Sequence, residues 1–175
     1  FAALGLGIEV VPFSTKLKQA ESEALVGHIA PQVVLFDATV QDWLKNTPDA
    51  RAVSLSEWQA ISLPEPLTRQ PVPVNRDDTA VMMFTSGTTG LAKPVPVPLK
   101  AILAFVGYLR EAVDLRPEDA FWNLADPGWA YGLYYAVAGP LAMGHPTTFY
   151  EGPFSVESTC RIIRDYGITN LAGSP

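Results

Sequence analysis

The apolar residues of this chain form short runs rich in Val, Ile and Phe, and helical patterns separate several of these runs. A short run of such residues, bounded by turn-forming residues, is typical of a β-strand. We predict strands at residues 8–13, 32–38, 51–55, 79–86, 120–125, 147–152 and 168–174. Residues 79–86, "TAVMMFTS", are apolar at successive positions, which predicts a central strand covered on both faces.

Three segments between these runs repeat apolar residues at intervals of three and four, so the residues of each segment share one face of a helix. They are Leu17, Ala20, Ala24, Leu25 and Ile29 in the first segment, Leu99, Ile102, Leu103, Val106, Leu109 and Val113 in the second, and Val156, Cys160, Ile163 and Tyr166 in the third. Strands that alternate with helices predict an α/β fold, with a mostly parallel sheet flanked by helices.

Proline content divides the chain further. Residues 46–78 have weak periodicity and hold Pro48, Pro64, Pro66, Pro71 and Pro73. We expect this segment to be a surface excursion between two α/β parts, residues 1–45 and residues 79–175.

Charge and apolar content exclude several classes of protein. The 175 residues are 48% apolar, enough for a real core, and the net charge is −6 with Lys and Arg scattered singly. Without a basic stripe, a nucleic-acid partner is not expected. Residues 127–150 carry no charge, but Gly and Pro interrupt them repeatedly, so we predict buried helix, turn and strand there and no membrane span.

The single cysteine, Cys160, leaves no internal disulfide, and no Cys/His pattern predicts a metal site. This usage suits a reducing cytoplasm. We expect Cys160 to be buried in the third helix.

The loop that follows residues 79–86 carries the clearest chemistry. It contains hydroxyls, glycines and a lysine in a short space, namely Thr85, Ser86, Gly87, Thr88, Thr89, Gly90 and Lys93. Glycines let backbone amides approach a ligand, hydroxyls add rotatable donors, and the ammonium adds a positive charge. A loop with these groups after a buried strand suits a polyphosphate.

The spacing of the loop excludes better-known motifs. Only two residues separate Gly87 from Gly90 and a proline follows Lys93, so the loop is no Walker motif. The chain also lacks a Gly-x-Gly-x-x-Gly fingerprint and the Gly-x-Ser-x-Gly elbow of serine hydrolases. The two histidines, His28 and His145, lie in a helical pattern and a Gly-His-Pro turn, which argues against a nucleophilic triad.

These residues carry a family resemblance. "MMFTSGTTGLAK" resembles the phosphate-loop signature of the adenylate-forming (AMP-binding) superfamily. "NLADPGWAYGLYYAVAGPLAMGHPTTFYEGPF" is similar to the segment that follows in acetyl-CoA-synthetase-like members. "GITNLAGSP" resembles the strand that reaches the acyl pocket, and "GIEVVPF" resembles an upstream strand of the family.

The resemblance implies ATP-dependent activation of a small or medium carboxylate as an acyl-adenylate, with Mg²⁺, and transfer of the acyl group to coenzyme A. It assigns Thr85, Ser86, Gly87, Thr88, Thr89, Gly90 and Lys93 to the ATP phosphates. It places Trp129, Ala130, Tyr131 and Gly132 near the acyl pocket and the thiol route, although these residues also fit an aromatic helix face in the core. It assigns no catalytic residue and no metal ligand to residues 1–175.

The resemblance also implies that residues 1–175 are an incomplete part of the larger N-terminal domain, because the downstream motifs of the family do not occur. We expect no turnover from this part alone. An aryl-CoA ligase, a stand-alone adenylation domain and a non-catalytic nucleotide-binding module remain alternatives.

Two local features depart from or add to the family pattern. Pro94 stands where family members usually have Gly, and Pro94, Pro96 and Pro98 alternate, which predicts an edge strand or polyproline stretch that stiffens the loop exit near Lys93. Asp126 is expected to cap the turn before Gly128.

Overall fold

The computed structural model describes residues 1–37, 50–61, 71–85 and 92–173. They form two compact units: Phe1–Ser14 with Val72–Pro175, and Thr15–Pro71. The three-part division at residues 45 and 78 stays a prediction. Along the chain the described elements are α1 (Ala2–Gly5), α2 (Gln19–Ile29), β1 (Val33–Phe36), β2 (Arg51–Ser54), α3 (Leu55–Ala60), β3 (Thr79–Thr85), β4 (Lys93–Pro98), α4 (Ala101–Glu111), β5 (Phe121–Asn123), α5 (Ala130–Gly132, π-helical Leu133–Ala138 and Gly139–Ala142), α6 (Val156–Asp165) and β6 (Asn170–Ala172).

The smaller unit holds α2, β1, β2 and α3. Strands β1 and β2 are parallel, with Val33 opposite Arg51. Helix α3 begins directly after β2 because Ser54 and Glu57 form a capping box: the Glu57 amide donates to Ser54 Oγ at 3.1 Å and the Ser54 amide donates to Glu57 Oε2 at 2.8 Å. This helix lies inside the proline-rich segment, where none was predicted.

In the larger unit β3 is paired on both sides. Strand β4 runs antiparallel to it, and Val10 forms a parallel bridge with Val81 on the other side. The Val10 amide donates to the Ala80 carbonyl at 3.1 Å, and the Met82 amide donates to the Val10 carbonyl at 2.9 Å. The prediction of a central strand is therefore confirmed for β3, whereas residues 8–13 contribute a single bridge and no longer strand.

The second sheet of the larger unit is parallel. Phe121 of β5 lies opposite Asn170 of β6, and Trp122 forms a further parallel bridge with Thr148. The run at residues 147–152 is thus reduced to one bridge. Parallel pairs next to helices confirm the predicted α/β class, with β3 and β4 as the antiparallel exception among the described strands.

Helix α4 joins the two sheets of the larger unit through its buried face. Phe105 packs with Met83 and Val97 of the β3–β4 hairpin. One turn later, Leu109 packs with Leu115 and Phe121. Residues four apart lie on one helix face, so a single stripe of α4 serves both clusters.

Two sequence expectations concern other helices. Cys160 lies in α6 as predicted, but it is exposed. The buried residues of α6 are Ser158 and Ile162, and Cys160 is two residues, about 200°, from each, on the opposite face. Residues 127–150 form α5, a turn and the Thr148 bridge, and none of the described helices has the length and apolar character that a bilayer crossing requires.

Candidate functional site

The candidate phosphate loop closes the β3–β4 hairpin, and the structure describes the two ends of this loop. Residues 86–91 lie outside the described residues, so Ser86, Gly87, Thr88, Thr89 and Gly90 remain predicted site residues. Thr85 is the last residue of β3, Lys93 is the first of β4, and the two are cross-strand partners. Directly opposite residues of an antiparallel pair have neighbouring side chains, so the side chains of Thr85 and Lys93 start from adjacent positions at the base of the loop.

The pleat of the hairpin indicates which side these two residues face. Side chains alternate along a strand, so Thr85 and Lys93 share a face with Met83 and Val97. Met83 and Val97 are buried against Phe105 of α4, whereas Thr85 and Lys93 are exposed. Within the described part of the chain, Lys93 forms no ion pair, so its charge is available to an anion.

Strand β4 is built as an edge. Pro94, Pro96 and Pro98 lie opposite Phe84, Met82 and Thr79. A proline has no N–H to donate, so the ladder donors on β4 must come from the residues between the prolines. In the described part of the chain β4 pairs with β3 alone, as predicted for an edge strand.

The second candidate group begins at a tight turn formed by residues 126–129. Asp126 Oδ1 accepts a hydrogen bond from the Gly128 amide at 2.7 Å, and the Trp129 amide donates to the Asp126 carbonyl at 3.0 Å. The expected capping of the turn by Asp126 is confirmed. The other carboxylate oxygen, Oδ2, accepts from Ser14 Oγ at 2.7 Å.

The four candidate residues after this turn have different surroundings. Trp129 is 49% exposed and Ala130 is also exposed, so both face solvent in this chain. Gly132 is buried, and a Cβ on it would lie 2.1 Å from the Asp126 carbonyl oxygen. Gly132 therefore lets α5 begin directly against the turn.

Tyr131 is half-buried within a group of tyrosines. Its ring makes an edge contact with Tyr135 at a centroid distance of 5.2 Å. Burial, and then a hydrogen bond with Tyr108, raise the pKa of the Tyr131 hydroxyl above its ordinary value. The tyrosine is thus neutral at physiological pH, and its ring is held by neighbours on α4 and α5.

An aromatic core connects the two candidate groups. Phe105 stacks on Tyr134 at 4.2 Å and makes an edge contact with Tyr135 at 5.9 Å. Phe105 also packs against Met83, two residues before Thr85 in β3. The hairpin and the start of α5 therefore share one packed core, which fixes both on a common support.

Sequence reasoning missed Ser14, which is only 5% exposed and anchors the turn before Trp129. No local pattern around Ser14 indicates a partner 112 residues away. As for metals, the residues that the structure describes contain no group of three His, Cys, Asp or Glu side chains arranged to hold an ion.

Comparison with known proteins assigns a family to this arrangement. The family model described as "AMP-binding enzyme" matches residues 1–175. An acetyl-coenzyme A synthetase of Xanthomonas campestris pv. campestris (strain 8004) is 31% identical over 167 residues, which cover 87% of this chain and 26% of that protein. The chain thus spans about a quarter of the length of this curated relative.

Solved structures agree with the sequence relatives. The acyl-CoA synthetase of Brucella canis superposes with a TM-score of 0.85 at 39% identity, over 99% of this chain and 34% of that one. The o-succinylbenzoate CoA synthetase of Bacillus subtilis, solved in complex with its acyl-adenylate intermediate, has a TM-score of 0.82 over 97% of this chain and 43% of its own. At 20% identity the second likeness shows the fold alone.

Proposed function

The chain belongs to the AMP-binding enzyme family, with acetyl-CoA synthetases among its relatives, and on this basis we propose that the protein containing it is an ATP-dependent acyl-CoA synthetase for a small or medium carboxylate. A carboxylate oxygen attacks the α-phosphorus of ATP, and the bond from that phosphorus to pyrophosphate breaks. The thiol sulfur of coenzyme A then attacks the acyl carbon and AMP leaves.

The pairing of Thr85 with Lys93 is the observation that carries this proposal. It places a residue with a hydroxyl and a residue with an ammonium opposite each other where the candidate phosphate loop begins and ends. As pyrophosphate departs, negative charge grows on its oxygens, and fixed donors stabilise that charge without reorganising. Thr85, Ser86, Gly87, Thr88, Thr89, Gly90 and Lys93 are the residues to which we assign this role.

For the acyl side we propose Trp129, Ala130, Tyr131 and Gly132. The exposed side chains of Trp129 and Ala130 are free to contact a substrate, while Tyr131 fills space from a fixed position. Gly132 contributes by keeping the turn and the helix in close contact. We assign no catalytic residue within residues 1–175.

The proposed reaction also requires Mg²⁺ as a cofactor and coenzyme A as a substrate. Among the described residues, no three His, Cys, Asp or Glu side chains are arranged to hold an ion, and we derive no step through Mg²⁺. We place the reaction in the cytoplasm, in line with the single cysteine.

The test is exchange of labelled pyrophosphate into ATP by the full-length protein, with acetate, propionate, butyrate, octanoate or benzoate. Exchange with one acid supports adenylation and identifies the substrate class, and benzoate alone would indicate an aryl-CoA ligase. Exchange followed by transfer only to a carrier protein would indicate a stand-alone adenylation domain. Folded protein that is silent with every acid would overturn the proposal and favour a non-catalytic nucleotide-binding module.

Two lysines provide a matched pair of variants. Lys93→Ala removes the ammonium at the base of the loop, and we expect exchange to fall at least about ten-fold, since one lost donor to developing charge costs roughly that or more. Lys100→Ala removes an exposed lysine that pairs with Asp77 beyond the far end of β4, and exchange should stay close to that of the wild type. Equal effects of the two variants would contradict the role of Lys93.

A further inference from the structure

We propose that Ser14 is a positioning residue for the site of the carboxylate substrate at the start of α5, and that it acts through the side chain of Asp126. This inference rests on the proposed function. The Ser14 hydroxyl donates to the Asp126 carboxylate, and this carboxylate shapes the turn before Trp129.

The Asp126 carboxylate serves two chain segments at once. Oδ1 holds the Gly128 amide and Oδ2 holds Ser14 Oγ, each at 2.7 Å. A hydrogen bond to an ionised carboxylate is shorter and stronger than one between neutral groups. Rotation of the carboxylate would weaken both contacts together, so the Ser14 hydroxyl helps to fix the orientation in which Asp126 caps the turn.

Two glycines pack closely around this contact. A Cβ on Gly128 would lie 2.4 Å from the backbone N and Cα of Ser14. On the other side of the turn, a Cβ on Gly132 would lie 2.1 Å from the Asp126 carbonyl oxygen. Ser14, the turn and the first residues of α5 are therefore in direct contact, and a displacement of Ser14 is transmitted to Trp129 and Ala130.

The same N-terminal segment also contacts the strand that leads to the phosphate loop. Val10 exchanges backbone hydrogen bonds with Ala80 and Met82 of β3, and the rings of Phe13 and Phe84 lie 6.2 Å apart. Phe84 is the neighbour of Thr85. Residues 10–14 thus connect the support of the phosphate end with the turn that starts the acyl end.

This connection has a chemical consequence for the proposed reaction. The carboxylate must approach the α-phosphorus at bonding geometry, and a misplacement of about 1 Å can cost on the order of 100-fold in rate. The Ser14–Asp126 contact adds to the aromatic core by fixing the turn at the start of α5 relative to the hairpin. Its loss should weaken carboxylate binding and slow adenylation, while the ATP phosphate site stays intact.

The test uses the full-length protein with Ser14→Ala and a matched serine, Ser155→Ala. Ser155 caps α6, where its Oγ accepts from the Ser158 amide, so its loss should lower stability by about 1 kcal/mol without changing KM for either substrate. For Ser14→Ala we expect KM for the carboxylate to rise about five-fold or more and kcat to fall, with KM for ATP within about two-fold of the wild type.

Conservative variants keep the inference testable if Ser14→Ala does not fold. Ser14→Cys keeps the side chain close to its original size with a weaker donor, and should give a KM for the carboxylate between those of the wild type and Ser14→Ala. Asp126→Asn keeps the shape but loses the charge, and should raise the same KM by a smaller factor. Active wild-type enzyme with an unchanged carboxylate KM in folded Ser14→Ala, or in Asp126→Asn, would overturn the positioning role alone, whereas a wild type silent with every acid would overturn the proposed function.

Discussion

Two glycines in the larger unit should respond in opposite ways to the same substitution by alanine. Gly132 lies at the start of α5, and an added Cβ would meet the Asp126 carbonyl oxygen at 2.1 Å and the Ala125 carbonyl oxygen at 2.8 Å. Gly107 lies inside α4, and an added Cβ there would find no atom within 4 Å. Neither glycine has a positive φ, so the difference between them is one of space.

The expected magnitudes follow from these contacts. A carbon lies at least 3.4 Å from its neighbours in ordinary contact, so Gly132→Ala requires the turn and the helix to separate by more than 1 Å at a backbone atom. Overpacking of this kind destabilises a protein by about 1–3 kcal/mol. In Gly107→Ala, alanine instead restricts the unfolded chain and favours the helix, which stabilises it by roughly 0.5–1 kcal/mol.

The measurement is thermal unfolding of both variants in the full-length protein, followed by carboxylate and ATP kinetics on the folded enzymes. A change of 1 kcal/mol shifts Tm by roughly 2–4 °C in a domain of 150–250 residues, and by less in a longer protein. We expect Tm to fall in Gly132→Ala and to rise slightly in Gly107→Ala. Only Gly132→Ala should also raise KM for the carboxylate, because its Cβ displaces the segment that carries Ala130 and Trp129.

Two outcomes would refute this reasoning. If both variants lowered Tm equally, the close approach of Gly132 to the Asp126 carbonyl would not be the cause of the lost stability. If Gly132→Ala lowered Tm but left KM for the carboxylate unchanged, the start of α5 would be a packing site and no part of the acyl pocket.

Three further predictions concern acid, alkali and the loop exit. Hydrogen bonds from the Arg116 amide and the Thr169 hydroxyl lower the pKa of the Asp119 carboxyl below 3.8, so the stability that this carboxylate contributes is present above pH 3.8 and is lost as the pH falls through its folded-state pKa. The Tm difference between wild type and Asp119→Asn should therefore shrink as the pH falls below 3.8, and a constant difference would contradict the prediction. Burial raises the pKa of the Tyr134 hydroxyl above 10.0, so the stability that the neutral hydroxyl contributes is present below pH 10.0 and is lost as the pH rises further. Tyr134→Phe should therefore flatten the fall in Tm at alkaline pH. An equally steep fall in the variant would argue against burial of the hydroxyl. Pro94→Gly should raise KM for ATP and lower turnover, and unchanged values for both would show that the loop exit needs no stiffening.

The sequence pattern predicts the elements of this fold well where periodicity reflects packing. Strand β3 has apolar residues at successive positions, and the structure pairs it on both sides and packs Met83 against α4. The helical pattern of residues 99–113 likewise contains the buried Leu109 of α4, but Leu103 in the same pattern is 73% exposed and the buried Phe105 lies outside it. The existence of both elements is therefore predicted better than the exact residues of the buried helix face.

Periodicity fails where a polar residue is buried with its hydrogen bonds satisfied. In α6 the pattern selects Val156, Cys160, Ile163 and Tyr166, yet Ile163 is half-buried and the other three are exposed. Ser158 is buried instead, since its hydroxyl donates to the Ser155 carbonyl at 3.0 Å and its amide donates to Ser155 Oγ at 3.0 Å. The spacing of apolar residues cannot identify a buried polar residue such as Ser158. The helix cap at Ser155 does indicate the hydrogen bond that the Ser158 amide makes.

Local capping chemistry also explains the unpredicted α3. Proline content suggested an excursion at residues 46–78, but "SLSE" holds the serine and glutamate of a capping box, and this signal identifies a helix start independently of apolar period. The contact between Ser14 and Asp126 is different, because a hydrogen bond across 112 residues depends on the tertiary fold and leaves no local pattern.

The alternating prolines after Lys93 limit which residues of β4 can donate backbone hydrogen bonds to β3. Only Lys93, Val95 and Val97 of β4 can donate toward β3, since the intervening prolines have no N–H. A slip of one residue would place Pro94, Pro96 and Pro98 at the donor positions and lose these hydrogen bonds, at a net cost of about 0.5–1.5 kcal/mol each. The prolines therefore disfavour a one-residue slip from the register that sets Lys93 opposite Thr85. On this reasoning the strand that follows the candidate phosphate loop helps to keep the lysine at the base of that loop, because the nearest register with the same donors is two residues away.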